Sequence, residues 1–118
     1  MLLVTELFPP AVGGSAVLYE NVYSRIPQVD VHVLTDPATS AAPAGVSGPF
    51  HVEHAPLHTP HWGLLNAAGL RHHWAVASVI RRRARELGAT VHCGRALPEG
   101  VAAWIARRRG GRPYVCWA

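Results

Sequence analysis

Leu2-Leu3-Val4-Thr5-Glu6-Leu7-Phe8-Pro9-Pro10-Ala11-Val12-Gly13-Gly14-Ser15-Ala16 decides how the chain reads: an apolar strand, a proline-stiffened loop, two glycines, then a helix opened by a hydroxyl residue. Pro9 and Pro10 fix φ and remove two backbone donors, so the loop leaves the strand in one direction. Gly13 and Gly14 tolerate positive φ and, lacking a Cβ, let a ligand approach the backbone closely. Ser15 suits an N-cap, and the helix behind it turns unpaired N–H groups and the positive end of its dipole toward the loop. Such a corner favours an anion. Two glycines can also simply turn a chain between a strand and a helix, so the corner alone leaves both readings open.

Outward from that corner, Met1 to Thr5 is a continuous apolar run, which suits a central parallel strand covered on both faces. Ser15 to Ile26 places Tyr19, Val22, Tyr23 and Ile26 at the spacing of one helical face, and Pro27 stops it. Val29 to Thr35 reads as a second strand, parallel to the first through a right-handed crossover. Asp36 to Pro49 is rich in Ala, Pro, Ser and Gly and reads as an exposed loop. Phe50 to His54 is a short strand candidate, and Pro56 to Asn66 an irregular stretch.

From Ala67 the pattern turns helical, with Leu70, Trp74, Ala77, Ile80, Ala84 and Leu87 on one side and Arg71, Ser78, Arg82 and Arg85 mostly opposite. Gly88 is a natural C′ stop. Thr90 to Cys93 is the next strand and Gly94 to Leu97 a turn. Pro98-Glu99 then begins a helix with proline at N1 and a buried stripe of Val101, Trp104 and Ile105. Gly110-Gly111 ends it, and Pro113 to Ala118 starts a further strand. This order predicts an α/β fold, a doubly wound Rossmann-like sheet of about five mostly parallel strands. Ligands belong beyond the carboxyl ends of those strands, where Glu6 to Ser15, the loop after His54, and Gly94 to Gly100 converge. The chain stops in an apolar strand with no capping element after it, which reads as truncation.

Composition bounds the rest. A chain of 118 residues is one domain, short for an enzyme that closes over two substrates. Its apolar fraction of 49% against 15% charged residues argues for an ordered interior. All 11 basic residues are arginine, in the manner of a compositional bias, so the net charge of +4 is weak ground for an anionic partner. Arg81-Arg82-Arg83 and Arg107-Arg108-Arg109 both fall where the last turn of a helix is expected, complementing its dipole. The arginines are not interleaved with aromatics, and no nucleic-acid partner is expected. Cys93 and Cys116 form no CxxC pair and read as small buried residues in strands, in a reducing compartment. Glu6 interrupts the apolar start and no basic region precedes it, so the expected location is cytoplasmic, or peripheral at the inner membrane face.

Two chemistries compete on the residues. Asp36, at the end of the second strand and roughly twenty residues beyond the glycines, stands where a nicotinamide-binding domain keeps its ribose carboxylate. That fingerprint needs G-x-G-x-x-G directly after the first strand, whereas Glu6 to Val12 intervenes here and only Gly13-Gly14 is present. His51, His54, His58 and His61 with Glu53 suggest zinc, but Pro56 and Pro60 forbid helical presentation, and His51 and His54 would point to opposite faces of a strand. They read as loop and surface histidines; no metal and no cofactor is expected. No Ser-His-Asp or Cys-His spacing and no paired carboxylates stand out.

Thr5-Glu6-Leu7-Phe8-Pro9-Pro10-Ala11-Val12-Gly13-Gly14 resembles the first βα loop of GT-B glycosyltransferases of the family-4 type, where an "FPP…GG" loop follows the first strand. Val31 to Thr35 resembles their second strand, Val91 to Gly100 their next strand-to-helix step, and Arg112-Pro113-Tyr114-Val115 the strand leading to their "HG" segment. The resemblance implies a metal-independent, retaining transferase moving a sugar from a nucleotide-sugar donor to an acceptor that is a glycan, a lipid or a small molecule. Residues 1–118 would be its acceptor-side domain, without the C-terminal donor domain that carries a paired-glutamate motif, and inactive alone. Gly13, Gly14 and Ser15 would face the donor diphosphate, and Arg95 and Glu99 the acceptor. The family's catalytic-site histidine would follow Ala118. A non-catalytic remnant serving as a binding module is the other outcome. A lipid-linked acceptor and peripheral membrane contact are compatible with Trp62, Leu64, Leu65 and the neighbouring arginines.

Overall fold

The computed structural model describes residues 1–6, 14–26, 30–37, 45–47, 50–58 and 66–117. Six strands form one sheet in the order β3-β4-β2-β1-β5-β6: β1 (Leu2–Val4), β2 (Val31–Thr35), β3 (Gly45–Ser47), β4 (Phe50–His54), β5 (Val91–Cys93) and β6 (Tyr114–Cys116). All pairings are parallel except β3 with β4. Three α-helices accompany it among the described residues: α1 (Gly14–Tyr23), α2 (Ala67–Leu87) and α3 (Val101–Arg108).

The apolar run at the amino terminus explains why β1 is central. Leu2, Leu3 and Val4 are all fully buried, which only a strand covered on both faces allows. Leu3 packs with Val31, Val33, Phe50, Val52, Tyr19 and Tyr23 under α1. Leu2 and Val4 join Leu34, Val91, Cys93, Ile80 and Ala102 under α2 and α3. Helices therefore cover both faces, and the chain passes from one side of β1 to the other through α2. Taken over the parallel strands alone the order is 3-2-1-4-5, as in a doubly wound Rossmann-like sheet, and it reverses between β1 and β5.

Several expectations need correction. The segment read as an exposed loop contains β3, whose register pairs Val46 with His51. Pro98 does not open a helix at N1: Ala96–Gly100 is a single π-helical turn, closed by Gly100 N–H donating to the Arg95 carbonyl at 2.9 Å, and α3 begins after it. The buried stripe of α2 is Gly69, His73, Val76, Ala77, Ile80 and Ala84, whereas Leu70 and Trp74 are exposed. In α3 the stripe is Ala102, Ala103, Ile105 and Ala106, with Trp104 outside. Arg81 to Arg83 precede the last turn of α2, where Arg85 stands instead. The ends of α2 are as expected: Asn66 caps it by accepting from Gly69 N–H, and Gly88 terminates it at φ 62°, ψ 30°.

Candidate functional site

Two contacts fix the direction of α1. The Tyr19 hydroxyl donates to the Gly94 carbonyl, while the Tyr23 hydroxyl meets His92 Nδ1 at 2.9 Å. One turn along the helix thus corresponds to two residues backwards along β5, so α1 runs antiparallel to the strands. Gly14, at its start, stands toward the carboxyl edge of the sheet, about 7 Å further along the axis than Tyr19. Gly13 lies outside the described residues. Because α1 begins at Gly14, Ser15 sits one residue inside the first turn rather than at the cap.

The same edge collects charged side chains from the ends of two strands and from the turn that follows one of them. Glu6 follows β1, Arg95 follows β5, and Glu99 comes from the π-helical turn. Arg95 donates to both Glu99 oxygens, Nη2 to Oε1 at 2.8 Å and Nε to Oε2 at 3.1 Å, and Nη2 also pairs with Glu6 Oε2. Glu99 Oε1 accepts in addition from the Glu6 backbone N–H at 3.1 Å. The other Glu6 oxygen faces His58 Nδ1 at 2.6 Å. Thr35 Oγ1 donates to the Glu6 carbonyl at 3.0 Å, tying β2 to the same point.

Exposure divides the cluster into an inner and an outer part. The side chains of Glu99 and Glu6 are 1% and 9% exposed, those of Arg95 and His58 38% and 62%. Burial by itself would raise the Glu6 carboxyl, but hydrogen bonds with His58 and Arg95, helped by their charges, outweigh it and hold the group below its ordinary value. Burial works to lower Arg95 and is likewise overcome, by Glu99 first and Glu6 second, so its guanidinium is held more firmly protonated than usual. Glu99 cannot reach a ligand past Arg95; it aims the guanidinium. Arg95 and His58 are the groups that solvent, and hence a ligand, can touch.

No protein-family model and no curated protein matches the chain. The site must therefore be read from its own geometry. Behind it stands His73, fully buried, its Nδ1 bonded to the Gly69 carbonyl at 2.7 Å and its Nε2 without a partner among the described residues. His72 beside it is lowered by burial and then by His73, against a backbone hydrogen bond with Leu57.

Asp36 is placed where a ribose-binding carboxylate belongs, yet it is 4% exposed and its Oδ2 accepts from the Leu57 and His58 N–H groups at 3.0 and 2.9 Å. Its work is to fasten the segment after β4, and so to deliver His58 to Glu6. The other histidines separate: His51 stacks on His32 with ring centroids 4.6 Å apart, and His61 lies outside the described residues. Among the described residues no group of three or more His, Cys, Asp or Glu could hold a metal ion, and no helix is long and apolar enough to cross a membrane. Sequence reasoning named Arg95 and Glu99 but missed Glu6 and His58 as members. The available signal was a carboxylate placed directly after a fully apolar strand, at an edge where a charge must find a partner.

Proposed function

We propose that this chain is the acceptor-side, Rossmann-like domain of a retaining GT-B glycosyltransferase of the family-4 type, acting with a separate donor domain. The observation that carries the reading is that the amino end of α1 and the Glu6–Arg95–Glu99 cluster both stand toward the carboxyl edge of the sheet, where the strand order reverses. The helix start offers unpaired backbone N–H groups to a nucleoside diphosphate, whose negative charge grows as the glycosidic bond to phosphate breaks. Arg95, aimed by two carboxylates and partly exposed, suits hydroxyl or phosphate oxygens of an acceptor. In this reading Gly13, Gly14 and Ser15 serve the donor side, Arg95 and His58 contact the acceptor, and Glu99 positions Arg95.

Burial of Asp36, which is 4% exposed and holds two backbone amides on Oδ2, weighs against the dinucleotide reading, because it leaves a ribose little access to the carboxylate. The test has two stages. The coding sequence beyond Ala118 should continue into a histidine-glycine segment and a paired-glutamate motif; an immediate stop codon removes the transferase reading and leaves a binding module. In the complete protein, Gly14→Val, which crowds the helix start, should lower transfer from a nucleotide sugar by at least about tenfold with the thermal midpoint nearly unchanged. Normal turnover in that variant would mean the corner does not face the diphosphate. Tight NADH binding in a fluorescence titration would favour the dinucleotide reading instead.

A further inference from the structure

β5 and β6 are in-register parallel neighbours, and the register sets Cys93 opposite Cys116. Register partners on adjacent strands project from the same face of the sheet, with the strands about 4.8 Å apart, inside the span of roughly 4.4–6.8 Å between Cα atoms that a disulfide bridges. The two thiols are already within hydrogen-bonding reach of each other. They differ in access: Cys93 is buried and Cys116 is exposed, contrary to the expectation that both are buried. Neither takes part in the site at the carboxyl edge.

We propose that Cys93 and Cys116 form an oxidisable pair, closing to an intramolecular disulfide when the chain meets a small-molecule disulfide such as oxidised glutathione. The Cys116 thiolate attacks one sulfur of the reagent, forming a mixed disulfide and expelling glutathione thiolate, which takes up a proton. Cys93 then loses its proton and attacks Cys116 Sγ, and a second glutathione leaves as its thiol. Two protein thiols are oxidised and one reagent disulfide is reduced to two thiols. Burial, reinforced by the neighbouring Cys116 and Glu99, pushes the Cys93 thiol up, so closure is the slow step and accelerates with pH. Cys116 Sγ also lies against Gly100, where a Cβ would stand 2.8 Å from it. The new bond would thus form directly beside the turn that holds Glu99.

The experiment is a time course of the full chain with oxidised glutathione, followed by alkylation, intact mass and non-reducing peptide mapping. A glutathione adduct on Cys116 should appear first and give way to a chain lighter by two hydrogens, with the Cys93 and Cys116 peptides linked; dithiothreitol should restore both thiols. Cys116→Ser should take up no glutathione. Cys93→Ala should keep the adduct open, and if that buried substitution fails to fold, the wild-type rates still decide. Between about pH 7 and pH 9 closure should quicken along with the Cys93 thiolate fraction. An adduct that persists on the wild-type chain, a dimer linked through Cys116, or both thiols alkylated at the end would each overturn the pairing.

Discussion

Arg95 reaches one carboxylate 4 residues away and another 89 residues away, and that difference decides what its removal would do. Glu99 and Glu6 are nearly enclosed and share this cation, so without it two negative groups would face each other at low exposure. Arg95→Met should therefore destabilise the chain by about 2–3 kcal/mol, less than for a fully buried pair because the guanidinium is 38% exposed. Adding Glu6→Gln should recover part of that loss by removing one of the stranded charges, and urea unfolding of the two variants measures it. Strictly additive losses would show that the network does not act as a unit. His58, at 62% side-chain exposure, should cost under about 1 kcal/mol when replaced by alanine, which lets its role in binding be tested on a folded protein.

The elements show where sequence patterns suffice and where they stop. β1 was legible because three consecutive buried apolar residues fit only a doubly covered strand, and the ends of α2 because Asn66 and Gly88 act through local chemistry. Gly88→Ala should accordingly cost about 1 kcal/mol through its φ of 62° alone, since nothing crowds the position, and thermal unfolding reads it. The phase of α2 was not legible. Leu70 and Trp74 satisfy the helical period as well as Gly69 and His73 do, and the choice rests on how α3 and the sheet pack against the helix. Of the arginine triplets read as dipole partners, Arg107 and Arg108 do stand in the last turn of α3, but Arg81 donates to the Arg109 carbonyl, and Arg109 donates to Ser78 and lies 4.0 Å over the Trp74 ring, joining two helices. β3 escaped because Gly45 and Ser47 have little strand preference, and among the described residues its strand pairing is with β4 alone. The His58–Glu6 contact spans 52 residues, beyond any local pattern. The outward phase leaves Leu70 and Trp74 about half exposed beside Arg71 and Arg109, a surface whose charge complements anionic lipid. The chain should sediment with anionic vesicles and not with neutral ones, and Trp74→Ser should weaken this several-fold. Equal recovery with neutral vesicles, or none with either, removes the membrane contact; Trp62, Leu64 and Leu65 lie outside the described residues.

At the scale of the whole molecule the histidines govern how stability responds to acid. His32, His72 and His92 are all lowered from 6.5, in each case by burial first. His32 also faces the charge of His51, of the amino terminus and of Arg83, opposed by Glu53. His72 faces His73 and His58, opposed by Asp36, and His92 faces the amino terminus beside the Tyr23 hydroxyl. A folded-state value below the unfolded one means that the unfolded chain takes up protons first as pH falls. Above 6.5 these imidazoles are neutral in both states and contribute no slope; below it each can cost up to about 1.4 kcal/mol per pH unit until the folded form titrates. Glu6 acts later and through the opposite charge change. Its carboxylate is stabilised in the fold, so its contribution is complete above 4.5 and drains away as pH falls through the lower folded value. Urea midpoints should hold level from about pH 8 to 7, decline from there to about pH 5 with the imidazoles, and drop again below the carboxylate range. Glu6→Gln should remove the second decline and leave the first in place. A midpoint that stayed level down to about pH 5 would mean the three imidazoles accept protons without leaving their sites, so that the cores on the two faces of the sheet would have to admit water before the chain unfolds.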